Sequence, residues 1–199
     1  MANAKERDLI LGNIAAAINK LEKCREFALL IPEVRVNLAY ALPGARTRRD
    51  VVAIEGRITA VRGLPHASGF PAFGASDHLA RLIIEVRKYD PQINAGINFK
   101  YRKNIEKIAR GYCSERQWLF GWIDRSREPA DVVQQDGASM PWKIKDLVAR
   151  SKGTPRLFYE GEGWGKEPLF VAIGADAVEV TEIAIDIARR YKNTSKGQH

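Results

Sequence analysis

The sequence predicts one α/β domain with helices packed on a mixed sheet. Segments with helical and with strand spacing are interspersed along the chain, and no internal repeat or linker divides residues 1–199. At 199 residues the chain is long enough to bury a core without metal or disulfide staples. Its two cysteines, Cys24 and Cys113, lack paired-ligand spacing and read as buried packing in a reduced compartment.

In residues 4–28, Ile10, Ile14, Ala17, Ile18, Leu21 and Ala28 recur every three or four positions, which predicts one amphipathic helix capped by Asn3 and ended before Pro32. Charges interrupt its apolar run every few residues, so the segment is neither a signal peptide nor a membrane span, and a soluble cytoplasmic protein is expected. Val34, Val36, Leu38 and Tyr40 then alternate with Arg35, Asn37 and Ala39, as in a strand closed by Pro43-Gly44. A second strand is expected over residues 50–63, with Val52, Ile54, Ile58 and Ala60 on one face and Glu55, Arg57 and Thr59 on the other.

A loop rich in Gly and Pro leads into a helix with Leu79, Leu82, Ile83 and Val86 on its apolar face, His78, Arg81, Glu85 and Lys88 opposite, and Pro91 as its stop. Residues 93–102 alternate cleanly, so Asn94, Gly96, Asn98, Lys100 and Arg102 form the polar working face of a half-buried strand. Beyond it come a helix in "KNIEKIARGYC", a strand in "RQWLFGWI" and a helix in "SMPWKIKDLVARS" with Ser139 as its cap. Strands "PRLFYE" and "PLFVAIG" flank the glycine loop "GEGWGK", a closing helix begins at "DAVEVTEIA", and residues 192–199 are expected to fray.

The formal net charge of +8 suits a polyanionic partner. Basic residues are dispersed among acids, with local clusters only at "ARTRRD" (45–50) and "KYRKNIEK" (100–107), which favours a small phosphorylated substrate over nucleic acid. Zinc and serine hydrolase templates fail: there are three histidines, and no H-E-x-x-H, C-x-x-C or G-x-S-x-G. The interval from Gly161 to Gly165 is one residue short of a nucleotide-triphosphate loop, and a strand rather than a helix follows. Gly163, Gly165 and Lys166 still fit a phosphate-approaching loop, or a plain hairpin turn.

His78 admits two readings, a solvated first-turn residue or a catalytic group. Its neighbours favour chemistry: Gly74 and Ala75 remove bulk, Ser76 or Asp77 can cap the helix, and helix N-terminal amides attract phosphate. Arg57 beside Gly56 is a surface arginine paired with Glu55 or a ligand contact. Asn98 and Lys100 extend the same polar surface, and Asn37 joins them as a candidate substrate contact.

Together, "LIPEVRVNLAYALPGA", "VVAIEGRITAV", "FGASDHLAR", "YDPQINAGINFKY", "SMPW" and "GEGWGKEP" resemble the ThiN family of thiamine-phosphate synthases, in family order and over most of the chain. The resemblance implies a three-layer α/β/α fold with a mixed, mostly antiparallel sheet, like the AraD-type class II aldolases. It implies condensation of hydroxymethylpyrimidine diphosphate with thiazole phosphate to give thiamine phosphate and pyrophosphate. The family's arginine in "EGR" falls on Arg57 and its histidine in "GASDH" on His78. It further implies Mg²⁺ as the diphosphate's partner, with Asp77 or Glu55 as ligands. Lys100 stands where an arginine is more usual, which keeps the charge and loses the planar fork. The rival reading is a module that senses thiamine phosphate for a transcriptional regulator; a homodimer is compatible with apolar helix faces at both ends of the chain.

Overall fold

Residues 4–129, 132, 138–163 and 167–196 are described by the computed structural model. Their strands are β1 (Leu38–Ala41), β2 (Val51–Ile54), β3 (Ile58–Val61), β4 (Leu64–Ala67), β5 (Pro71–Phe73), β6 (Ala95–Lys100), β7 (Phe120–Ile123), β8 (Leu157–Glu160) and β9 (Leu169–Gly174). Seven form one sheet in the order β5-β2-β1-β6-β9-β8-β7, and the β3–β4 hairpin forms a separate ribbon. Every neighbouring pair is antiparallel except β7–β8.

Helices cover both faces of the sheet, giving the expected three layers. On one side α1 (Ala4–Glu22), α3 (Lys103–Glu115) and α5 (Ala177–Lys196) enclose Ile14, Leu21, Ile97, Phe99, Phe170 and Ile187. On the other, α2 (His78–Val86) and the helix Ser139–Ser151, here α4, close over Leu79, Ile83, Ile144, Leu147, Val171 and Ile173. The two-sided cover explains why β9 is apolar at successive positions: Phe170 and Ala172 face one layer, Val171 and Ile173 the other. No helix among the described residues is long and apolar enough to cross a membrane.

Several boundaries differ from the sequence reading, each for a local reason. Residues 50–63 are two strands in different sheets, because Gly56 (φ +67°) and Arg57 (φ +68°) are both left-handed. A turn closed by Arg57 N–H to Ile54 O (3.2 Å) sends the chain out of the large sheet. Glu55, Arg57 and Thr59 therefore do not share a strand face. The corner is tight: a Cβ at Gly56 would lie 3.0 Å from the Cβ of Ser68, so the close approach this glycine permits is to another stretch of the same chain.

Similarly, Arg35 (φ +65°) interrupts the first alternating run, and β1 starts at Leu38 with only an isolated bridge at Val36–Ile58 before it. The first helix stops at Glu22, and Arg25–Leu30 is a 3-10 turn. The glycine-proline loop contains β4 and β5. Ser139 is the first residue of α4 rather than its cap. The polar face expected of β6 is covered by α2, and Asn98 is buried. α5 continues to Lys196; residues 197–199 of the expected frayed tail, like Asn3, lie outside the described residues.

Candidate active site

Where β7 and β8 end and β1 and β9 begin, the sheet edge meets the turn after β2 and the N-terminus of α2 around a cleft of about 440 Å³. Of the residues singled out from sequence, Asn37, Arg57, Ser76, Asp77, His78 and Asn98 line it, together with Ala75. The cleft also receives Arg125, Lys143, Glu160 and Glu167.

Its floor is an ion-pair chain. Glu160, the last residue of β8, accepts from His78 Nε2 at 2.8 Å through Oε1 and from Lys143 Nζ at 3.1 Å through Oε2. Lys143 and Glu160 are both buried, while the His78 side chain is 48% exposed and open to the cleft. Burial opposes the Glu160 charge, but the His78 hydrogen bond and the His78 and Lys143 charges outweigh it and hold the carboxyl well below the usual range. An ionised carboxylate only accepts, so the Nε2 proton of His78 is committed to Glu160, and Nδ1 is the nitrogen left for a ligand.

Arg57 reaches the cleft from its left-handed turn and donates through Nη1 to the Val34 carbonyl. The same peptide segment is gripped from the other side, where Val34 N–H donates to Glu167 at 2.7 Å. With one guanidinium donor so used, Arg57 keeps others for an anion. Asn37 is oriented by two backbone donors: its Oδ1 accepts from Leu38 N–H (2.9 Å) and Ile54 N–H (3.2 Å). That fixes which end of the amide is oxygen and leaves the NH₂, without a partner among the described residues, at the cleft. Asn98 spends both ends of its amide on backbone and serves as a brace.

The start of α2 is a set of small or polar residues, Ala75 to His78, whose backbone amides precede the first helical turn. Asp77 occupies the cap position but its side chain does not cap; Arg81 holds it at 3.0 Å and Arg48 lies 3.9 Å away. Part of the basic cluster at residues 45–50 is thus directed at Asp77. Of the two candidate magnesium ligands, Asp77 lines the cleft, whereas Glu55 is exposed and lies outside its lining. No group of three His, Cys, Asp or Glu among the described residues could hold a metal ion.

Gly74, in a left-handed conformation (φ +82°), and Lys100, at the end of β6 opposite Leu169, lie outside the cleft lining. Gly163 packs behind Arg125, and Gly165 and Lys166 fall outside the described residues.

A family model described as thiamine-phosphate synthase ThiN matches residues 13–186. The chain belongs to the ThiN family. The thiamine-phosphate synthase ThiN of Methanothermobacter thermautotrophicus is 38% identical over 183 residues, covering 92% of this chain and 94% of that one. Among solved structures, the C-terminal domain of a phosphomethylpyrimidine kinase superimposes with a TM-score of 0.85 at 32% identity, over 92% of this chain and 100% of that one. An L-fuculose-1-phosphate aldolase from Thermus thermophilus matches with a TM-score of 0.45 and 11% identity over 94% and 98% of the two chains.

Arg57 and His78, which sit in local motifs, stood out in the sequence and line the cleft; four other charged residues there, Arg125, Lys143, Glu160 and Glu167, did not stand out as site residues. Lys143 carried a usable signal: it falls on the same helical stripe as Met140, Ile144 and Leu147, where a solvated lysine does not belong. Glu160 carried a weaker one, sharing the period-two face of buried Phe158. Arg125 carried none, since no periodic element contains it.

Proposed function

We propose that this ThiN chain catalyses the condensation of hydroxymethylpyrimidine diphosphate with thiazole phosphate, and that Arg57 and His78 act on the departing diphosphate. The observation that carries this is their convergence: a guanidinium with spare donors and an imidazole anchored on a buried carboxylate face one cleft beside a helix N-terminus.

In this reading the bond between the pyrimidine methylene and the diphosphate oxygen breaks first, and its electron pair leaves with pyrophosphate. The methylene carbon, carrying positive character, is then captured by the lone pair of the thiazole nitrogen. No general base is needed at the attacking nitrogen, which has no proton to lose. The protein's task is to stabilise the leaving group and align two rings. Arg57 neutralises charge as it develops on the bridging and terminal oxygens. His78 donates through Nδ1 in its imidazolium form, with Glu160 balancing the ring's charge from Nε2. The amides at the start of α2 and the NH₂ of Asn37 supply neutral donors.

Incubation of the purified chain with both substrates and Mg²⁺, followed by oxidation of thiamine phosphate to its fluorescent product, tests the reading. Wild type should form product, and Arg57→Ala should lower turnover by on the order of 10² with a smaller change in KM, as for loss of a charge-stabilising donor. Tight binding of thiamine phosphate without any turnover would instead favour the sensor.

A further inference from the structure

We infer that Arg125 grips the phosphate of thiazole phosphate, on the wall of the cleft opposite Arg57. This rests on the synthase reading and adds a second, separate anion site to it.

Arg125 sits just beyond the end of β7, in a 3-10 turn over Arg125–Arg127. Its Nε is buried without a hydrogen-bond partner among the described residues, although the side chain lines the cleft. No described residue accepts a hydrogen bond from its guanidinium or pairs with it. Asp124, the carboxylate next to it, is already taken by Ser126 through N–H (3.1 Å) and Oγ–H (2.6 Å). Glu128, three residues on, has a buried Oε1 with no hydrogen-bond partner of its own and does not neutralise it. Of the other cleft cations, Lys143 pairs with Glu160, and Arg57 spends one donor on the Val34 carbonyl and keeps the rest for the diphosphate. A buried donor left unmade is costly, and a cation in a concave site without a protein anion is completed by an anionic ligand.

The guanidinium is also covered on one side by backbone. A Cβ at Gly163 would lie 2.7 Å from its Cζ and 2.8 Å from its Nε, so the backbone after β8 packs directly against the group and a side chain there would push the guanidinium aside. A planar fork backed by the chain and unpaired among the described residues matches the bidentate geometry of a phosphate.

The sheet order separates it from Arg57. β2 and β7 have β1, β6, β9 and β8 between them, so their ends lie roughly 24 Å apart at the usual strand spacing. Long side chains reaching inward from the two walls suit two phosphorylated substrates whose rings meet between them. The diphosphate belongs with Arg57 and extends towards His78, whose anchor Glu160 ends β8, the strand beside β7, and the monophosphate of the thiazole is left for the far wall, where Arg125 follows β7.

Steady-state kinetics on the full chain tests the assignment. Arg125→Ala should raise KM for thiazole phosphate about tenfold or more, as expected for loss of a charge-assisted fork, and leave KM for the pyrimidine diphosphate unchanged. With the unphosphorylated thiazole alcohol, wild type and variant should perform alike, a convergence that general structural damage would not produce. Gly163→Ala, which displaces the guanidinium without removing it, should raise the same KM. Arg125→Lys, which keeps the charge and loses the fork, gives an intermediate value and covers the case in which the alanine variant does not fold.

Unchanged KM values, or an equal or larger rise for the diphosphate, would overturn the assignment. Should wild type itself form no thiamine phosphate, the synthase reading fails first. Calorimetry with inorganic phosphate then examines Arg125 alone: weaker binding to Arg125→Ala supports an anion site there, and equal binding overturns it.

Discussion

Asn37 and Asn98 brace the base of the cleft with two bonds: Asn37 N–H donates to Asn98 Oδ1 at 2.8 Å, and Asn98 N–H donates to Asn37 O at 3.3 Å. Asn98 also donates from Nδ2 to the carbonyl of Arg35, a residue held in a left-handed conformation (φ +65°). One buried side chain thus ties β6 to the irregular segment that leads into β1.

Asn98→Ala should therefore destabilise the fold by about 2 kcal/mol, because it leaves the Asn37 N–H and the Arg35 carbonyl without partners. Urea unfolding monitored by circular dichroism measures this. A loss within experimental error of zero would mean that water replaces the amide at no cost.

Arg57 combines the side chain proposed to act on the diphosphate with an unfavourable backbone. A non-glycine residue in the left-handed region costs roughly 1–2 kcal/mol, and Arg57 at φ +68° carries that cost where the chain turns out of the main sheet. Arg57→Gly and Arg57→Ala should be equally poor catalysts. The glycine variant should be the more stable of the two by about 1 kcal/mol, the left-handed cost less the greater unfolded-state freedom of glycine. Equal stabilities in parallel urea titrations would show that the turn imposes no strain on the side chain it carries.

The same residue shows how far the sequence could be read. The alternation of residues 50–63 looks like one strand because Val52, Ile54, Ile58 and Ala60 keep period two across the corner, and only the conformation of Gly56 and Arg57 reveals the break. The layers were legible, since helical and strand periods were strong and both faces of β9 are apolar. So were Arg57 and His78, which sit in short recognisable stretches. Glu160 and Lys143 were not, because their meaning lies in each other: a glutamate ending a strand and a lysine on a helix become a site only when folding brings them to 3.1 Å with His78 beside them.

That chain of charges makes a prediction about pH and stability. Burial works against the Glu160 charge, yet His78 and Lys143 hold its carboxyl far below the ordinary value of 4.5. As pH falls below about 4.5, the unfolded chain takes up a proton at Glu160 while the folded chain does not, so protonation favours unfolding. The contribution is present in full above that value and is lost progressively on acidification. Glu160→Gln removes the titrating group, so its stability should fall less steeply with acid than wild type in urea titrations between pH 5 and pH 3, a window taken around the unfolded value. Lys143→Met should cost about 3 kcal/mol near neutrality, since it leaves a buried carboxylate with His78 as its sole partner. Combining it with Glu160→Gln should restore much of that loss, because the charge needing compensation is gone. A double variant no more stable than Lys143→Met would mean that the lysine acts through packing of its methylenes under α2, with the ion pair contributing little.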